Sequence, residues 1–575
     1  MQYKALAVAL GAALVLAGCG GGSSSGVTNN PPPVSLAAPT QTYTASSTGL
    51  ATVLNNAGSA GQLALNLATQ LGVAPLNCGV SVYHYEYYSV DGQGKPVTAS
   101  AALMLPTGAG ATCSGARPLL EYAHGTNLDQ TYDLAALNDP TNPAYSEALL
   151  VAAMYAADGY VVIAPNYVGY DTSNASYHPY LIAAAQSQDM IDALAAGKQV
   201  LSQVSTTVSS NGKFFLTGYS QGGYVALATE QAMQKAGMTV TAASPGSGPY
   251  SLAALVDYIF MGHPDLGAPQ LGSLLVQAYQ DAYGNVYSSQ SQVFGAGDYV
   301  QLPQAHFASN GGTTLTATLP MFSSTAPTAA EVTQMPADAG TLPNTALAKV
   351  LPDTVPLYYS APATNSLLSP DTSVIAQAVW TGFFDTSGLA APNDEFGLGF
   401  SGLWSTYFST SGNALINQGF RANYLADALI NPDGLFTSWP TGSPLPTGLA
   451  TTRATDAFRQ DLAANDLRGY LPTPPTMLCG GMNDPVVYYP LDTGVLATRW
   501  ALANLTQQFA LNVDTTTPAT SGPTAAYATL QGVFEQWKNA TLAIVPNGPQ
   551  TEVAEYHGVV GAFCASAAQQ YFAGF

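Results

Sequence analysis

Residues 213–217, KFFLT, form a short β-prone run that passes directly into Gly218-Tyr219-Ser220-Gln221-Gly222 and then into a helical pattern from Gly223 to Ala236. A strand that becomes a helix within five residues must pass through a very tight bend. Side chains two positions either side of Ser220 would collide there, and Gly218 and Gly222 remove that collision. Such a unit belongs in an alternating strand–helix fold rather than an all-β or all-α one. The same spacing recurs at Gly22-Ser-Ser-Ser-Gly26, where no strand precedes and no helix follows. The flanking pattern, and not the spacing, therefore carries the argument.

The rest of the chain is consistent with that demand. Ser81–Val90 and Val97–Leu105 read as strands joined by Asp91-Gly-Gln-Gly94, a hairpin signal. Alternation follows: a strand over 118–123, a helix over 145–157, a strand over 160–164, a helix over 180–204 and, after the Ser220 unit, a strand over 240–244. The pattern lapses from about Ser251 to Leu471. That stretch is rich in Gly, Pro, Ser and Thr, and it holds Trp380, Trp404, Trp439 and the apolar patch 376–384. Regularity resumes with a strand at 476–480, a helix near 493–505, a strand at 540–546 and a last helix over 559–572. The expected architecture is α/β, a mostly parallel sheet with a leading antiparallel hairpin. Its core comes in two parts, 50–250 and 471–575, separated by a large inserted cap or lid at 251–470.

The first 19 residues, MQYKALAVALGAALVLAGC, place a lysine before an apolar run too short to span a bilayer, as in a secretory signal. The run ends in Leu16-Ala-Gly-Cys19, which resembles a bacterial lipobox. That resemblance implies lipidation at Cys19 and an exported lipoprotein of the outer membrane or cell surface, touching the membrane only through its N-terminal anchor. Residues 20–49 read as a flexible linker with a reach of roughly 30 Å. Composition narrows the partners. With 13 Lys+Arg against 34 Asp+Glu, a net charge of −21 and only 8 % charged residues, the chain is a poor counterion for phosphate, which argues against nucleic-acid binding.

A serine hydroxyl needs a base held against it, and the base needs an acid to orient it. Three histidines follow Ser220: His263, His306 and His557. The first two fall in the irregular stretch. His557 follows the last expected strand and directly precedes the last helix, where a sheet-edge loop would present a base. The expected acid is Asp484, which ends a glycine turn after the strand at 476–480. Glu552 and Glu555 are rivals, and an Asx turn is the non-catalytic alternative for Asp484. An oxyanion would meet the backbone N–H of Gln221 and a second donor in the turn after LLEYAHGT, assigned to Thr126 with Gly125 as the alternative. His124 is expected to shape that turn. Neither Cys-x-x-Cys nor His-x-x-x-His spacing occurs, so no metal site is expected.

The segments EYAHGT, NYVGYDTSNASYHPYL, LTGYSQGG, GGMNDPVV and YHGVVGAFC together resemble α/β-hydrolase esterases, in particular bacterial lipoprotein relatives of the secretory lipases. The resemblance spans residues 78–250 and 470–575. It implies an α/β-hydrolase fold with Ser220, Asp484 and His557 as a catalytic triad. It also implies an oxyanion hole at Gln221 and Thr126, an ester substrate with an apolar or aromatic group, an acyl-enzyme intermediate and no cofactor. A serine peptidase, an acyltransferase and a non-catalytic surface-binding lipoprotein are the alternatives on the same fold. The insertion is longer than this group leads one to expect, and 507–532 reads as an additional Thr/Pro-rich loop. Beyond Cys19 there are four cysteines, which allow three pairings. The expected pairs are Cys78–Cys113 across the hairpin unit and Cys479–Cys564 between the loops that carry Asp484 and His557.

Overall fold

Tyr85, Tyr87 and Ser89 turn inward along one strand while Glu86 and Tyr88 turn outward, the alternation that commits this segment to a half-buried sheet. That strand, β2 (Gly79–Val90), pairs in unbroken antiparallel register with β3 (Pro96–Thr107), from Gly79 opposite Thr107 to Val90 opposite Pro96. The computed structural model describes residues 36–57, 76–260, 265, 267–294, 416–436, 448–544 and 548–575. Within them β1 (Thr40–Ala45), β2, β3, β4 (Gly115–Ala123), β5 (Val161–Pro165), β6 (Val208–Tyr219), β7 (Ala242–Gly246), β8 (Thr476–Gly480) and β9 (Gln508–Asn512) form one sheet. Their order is β1-β2-β3-β5-β4-β6-β7-β8-β9. Pairing is antiparallel through β1, β2, β3 and β5, and parallel from β5 across to β9.

The helices are α1 (Ser47–Asn56), α2 (Tyr145–Met154), α3 (Ala183–Val204), α4 (Gln221–Lys235), α5 (Leu252–Phe260), α6 (Ala268–Tyr283), α7 (Gln418–Ile430), α8 (Ala457–Ala464), α9 (Thr493–Leu502), α10 (Ala528–Leu542) and α11 (Gly548–Phe572). Helices α3 and α4 pack against each other, and α11 lies against β6, β7 and β8. The strand–turn–helix unit at β6 and α4 thus sits mid-sheet, with its turn at the carboxyl edge of the parallel strands. In open α/β sheets that edge is where sites form.

Five sequence-based expectations need correction. The linker assigned to 20–49 ends sooner, because Thr40–Ala45 is a strand on the edge of β2 and Ser47 opens α1. Composition hid this: the segment is polar, but its backbone groups pair with β2, and α1 buries Leu50 and Leu54. Over the described residues 540–544 the strand expected at 540–546 is absent; Ala540–Leu542 ends α10 instead. Among the described residues the sheet's last strand is β9, inside the stretch read as a loop, and it pairs in parallel with β8. Helix α11 begins at Gly548, not near Val559, so His557 is helical. Tyr556, Val560, Phe563 and Ala567 are its buried stripe at three- and four-residue steps. The described parts of 251–470 are also not irregular, since they hold α5, α6, α7 and α8.

Buried arginines join those insertion helices. Arg459 of α8 binds Asp257 of α5 at 2.8 Å and Asp427 of α7 at 2.6 Å. Arg468 binds Asp433 at 2.7 Å and Asp466 at 2.9 Å, with its own side chain fully buried. Removing one partner from such a cluster leaves a buried charge uncompensated, at a cost of about 3–5 kcal/mol. Phe294 and Ile416 meet in an antiparallel bridge, bringing together the two ends of segment 295–415. That segment, like residues 1–35 with the Cys19 signal, His263, His306, the three tryptophans and patch 376–384, lies outside the described residues.

Disulfides join Cys78 to Cys113 and Cys479 to Cys564. In a chain-entropy description, loops of 35 and 85 residues correspond to roughly 4 and 4.5 kcal/mol. The second bond links the end of β8 to α11, and so ties together the two elements that carry Asp484 and His557.

Candidate active site

Ser220 adopts φ +59° and ψ −124°, a strained conformation for a residue with a side chain. Its N–H is held by Gly246 O at 2.9 Å, while Gly223 N–H and Tyr224 N–H both return to Ser220 O. A Cβ on Gly218 would stand 2.4 Å from Gly222 O, and one on Gly222 would stand 1.9 Å from Ala123 O. Both glycines are therefore required by backbone approach, as the collision argument anticipates.

Asp484 and His557 are brought together. His557 Nδ1 donates to the Asp484 carboxylate, 2.7 Å from Oδ2 and 2.9 Å from Oδ1. Asp484 Oδ1 also accepts the N–H groups of Val486 and Val487, so the Asx turn foreseen as an alternative exists alongside the histidine contact. With its proton on Nδ1, the imidazole presents a lone pair at Nε2. That atom is buried and has no hydrogen-bond partner among the described residues, so no Ser220–His557 hydrogen bond is formed. The link to the serine runs through Tyr219. Its hydroxyl donates to His557 O at 2.6 Å, and its ring lies 4.9 Å from the imidazole. Gly561, one turn further along α11, is forced by the same ring, 2.9 Å from where its Cβ would stand. Of the rival acids, Glu555 is exposed and Glu552 is buried, while the His557 Nδ1 position belongs to Asp484.

Asp514, just beyond β9, carries a positioning role that sequence reasoning missed. Its Oδ2 accepts from Asn483 Nδ2 at 2.5 Å and from the Tyr556 hydroxyl, and its Oδ1 receives Lys538 Nζ at 2.8 Å. Asn483 and Tyr556 directly precede Asp484 and His557. One carboxylate thus holds the neighbours of both. The signal available was an aspartate ending a strand, but that strand was not recognised.

The oxyanion candidates differ in availability. Gln221 N–H, at the first turn of α4, makes no hydrogen bond to a described residue. Its side-chain Nε2 lies 2.6 Å from His178 Nε2, while His178 Nδ1 donates to Val168 O at 2.8 Å. Burial pushes His178 down to about 3, so the ring is neutral and accepts from the amide. Gly125 N–H is already given to Glu147 Oε1 at 3.0 Å, which disfavours the Gly125 alternative. The same carboxylate accepts from the Tyr122 and Tyr132 hydroxyls. Thr126 N–H makes no hydrogen bond to a described residue, and Thr126 Oγ1 lies 3.0 Å from the Tyr180 hydroxyl. His124 is buried between Tyr132 and Tyr167, its ring nitrogens on the carbonyls of Gly125 and Asn166.

Ser220 and Gln221 line a partly open pocket whose empty space, counting the part open to solvent, is about 680 Å³. Leu252, Leu255, Val256 and Ile259 of α5 and Leu271, Leu275 and Val276 of α6 form its walls, with Val486 and Val487 near the Asp484 turn. Its apolar lining suits the apolar part of a small molecule. Among the described residues His84, Asp133 and Asp171 also bring ligand-type atoms within 4.8 Å of one another. His84 Nε2 is already paired with Asp171 at 2.7 Å, and Asp133 Oδ1 accepts from Asn166 and Ala135.

No protein-family profile and no curated protein matches the chain. Solved structures do. The rice cell wall degrading esterase LipA from Xanthomonas oryzae superposes with a TM-score of 0.54 at 21 % identity, over 88 % of this chain and 97 % of its own. A protein from Legionella pneumophila superposes with a TM-score of 0.51 at 15 % identity, over 88 % of this chain and 98 % of its own. What is shared at this identity is the architecture: a mostly parallel sheet with antiparallel N-terminal strands and flanking helices.

Proposed function

The chain has the α/β-hydrolase fold, and from that premise we propose that it is a carboxylic-ester hydrolase. His557 Nε2 takes the Ser220 proton as Oγ attacks the ester carbonyl. The tetrahedral oxyanion is met by the backbone N–H groups of Gln221 and Thr126, each worth roughly 3–4 kcal/mol in such holes. Collapse breaks the carbon–oxygen bond to the alcohol, which leaves with the proton from His557. Water then gives a proton to His557 and adds to the acyl carbon. Breakdown of this second oxyanion releases the acid and returns the proton to Ser220. Asp484 keeps the imidazole in the useful tautomer and balances its charge when protonated.

One observation carries the reading: a histidine with Nδ1 fixed by a buried carboxylate and Nε2 left free packs on Tyr219, the residue before a strained serine that lines an apolar pocket. The structural neighbour that acts as an esterase supports it. We also infer that the body is exported and tethered through acylated Cys19, a reading supported by the two disulfides. The test takes the full chain from membranes and compares p-nitrophenyl alkanoates with a peptide p-nitroanilide. Ester turnover that a serine-reactive phosphonate abolishes is expected. Amide turnover alone favours a peptidase, and no turnover favours a binding protein. In the same cells Cys19→Ser should move the chain to the soluble fraction; membrane retention would refute the anchor.

A further inference from the structure

Residues 178–181, His-Pro-Tyr-Leu, lead into α3 and are all buried. They reach the side chains of both residues read as oxyanion donors. His178 Nε2 accepts from Gln221 Nε2 at 2.6 Å, with Gln186 Nε2 further off at 3.4 Å. Two residues on, the Tyr180 hydroxyl lies 3.0 Å from Thr126 Oγ1. The segment is itself clamped. Gly169 packs so closely on it that a Cβ there would stand 2.8 Å from His178 Cα. Tyr180 N–H returns to His178 O at 2.8 Å, and Leu181 is held at φ +52°, which is costly for a bulky side chain. The Tyr279 hydroxyl of α6 fastens the Leu181 carbonyl at 3.1 Å. Backbone strain of this kind persists only where the surroundings over-determine it, and it points to a position whose geometry matters.

We propose that His178–Leu181 is a brace that sets the separation of the two oxyanion donors, His178 acting through Gln221 and Tyr180 through Thr126. The inference rests on the reading of the Gln221 and Thr126 N–H groups as those donors. They come from separate elements, Gln221 from the first turn of α4 and Thr126 from the loop after β4. An oxyanion must meet both at once, and a misplacement of about 1 Å costs on the order of 100-fold in rate. The helix fixes the Gln221 backbone, whereas Thr126 has less support. Glu147 and His124 hold Gly125 before it, but among the described residues Thr126 itself is hydrogen-bonded to Tyr180 alone. Burial keeps the His178 ring and the Tyr180 hydroxyl uncharged at neutral pH, so both arms persist there. Both are positioning residues, since each acts through another side chain.

The test uses the full chain and two readouts, hydrolysis of p-nitrophenyl butanoate and inhibition by an alkyl trifluoromethyl ketone. Ser220 Oγ adds to the carbonyl carbon of that ketone while His557 takes the Oγ proton, so the adduct loads the oxyanion hole. Tyr180→Phe is expected to lower kcat about 10-fold and to raise the inhibition constant by the same factor, with KM and the thermal midpoint little changed. Thr126→Val should do the same. The double variant should be no worse than either single one, because both remove one bond. His178→Asn keeps a donor for Val168 O but withdraws the acceptor for Gln221, and should show matching losses in both readouts. Thr126 is only partly buried, so its variant carries the test if the Tyr180 variant does not fold. Unchanged readouts in any folded variant overturn the brace, as does a loss of kcat with an unchanged inhibition constant. Losses that multiply in the double variant also overturn it. Each of these results leaves the esterase reading intact. Ester turnover that survives in Ser220→Ala overturns the nucleophile assignment instead, and absence of any wild-type turnover sinks both.

Discussion

Ser220→Ala is expected to lower kcat for p-nitrophenyl butanoate by at least ~10⁴-fold, with KM and the thermal midpoint little changed. The folding part of this expectation comes from the elbow. Ala keeps the Cβ and can occupy φ +59° at about the same strain as Ser, and the Gly246, Gly223 and Tyr224 hydrogen bonds are all made by the backbone of residue 220. Only Oγ is lost. The residual rate would be what the oxyanion donors and cavity achieve with water as nucleophile. Steady-state kinetics beside a thermal melt check it. A variant with half the wild-type rate would mean that the nucleophile lies elsewhere.

Asp484→Asn should have the next largest effect, roughly 10³–10⁴-fold in kcat. The direction follows from the hydrogen bonds that surround the side chain. The N–H groups of Val486 and Val487 both point at Oδ1, so an asparagine keeps its carbonyl oxygen there and turns its NH₂ toward His557. Nδ1 must then accept rather than donate. The imidazole proton moves to Nε2, where the base is needed, and the fold is preserved while the chemistry is blocked. Asp514→Asn is the informative contrast. It loosens Asn483, Tyr556 and Lys538 without touching the imidazole tautomer. Its expected cost is about 10-fold in kcat, together with a lower thermal midpoint. Equal losses in the two variants would contradict the separate roles given to these carboxylates.

The sterics of the Ser220 turn were legible because they are local: two glycines, a strand before and a helix after leave one geometry. Asp484 was legible as the end of a strand, and the contact with His557 Nδ1 follows its placement. The setting of His557 was misread because a strand was expected at 540–546 and the last helix only from about Val559, which left His557 in a loop between them. In the fold a Cβ at Gly558 would meet nothing within 4 Å, and α11 runs straight through it. The glycine that matters for packing is Gly561, and only the position of the Tyr219 ring explains it. Strands β1 and β9 escaped notice for a shared reason. Each is five or six residues long, set in polar or Thr/Pro-rich sequence, and takes its stability from pairing with β2 or β8 rather than from its own pattern. Asp514 was hidden with β9.

The central claim is that Ser220 carries the acyl group during turnover. Rapid acid quenching during hydrolysis of p-nitrophenyl butanoate, followed by tryptic mapping, tests this directly. Cleavage after Lys213 and Lys235 yields a peptide in which Ser220 is the only serine. The account predicts a butanoyl group on that serine in the wild type and none in Ser220→Ala. A butanoyl group on another peptide, or steady turnover with that peptide unmodified, would contradict it.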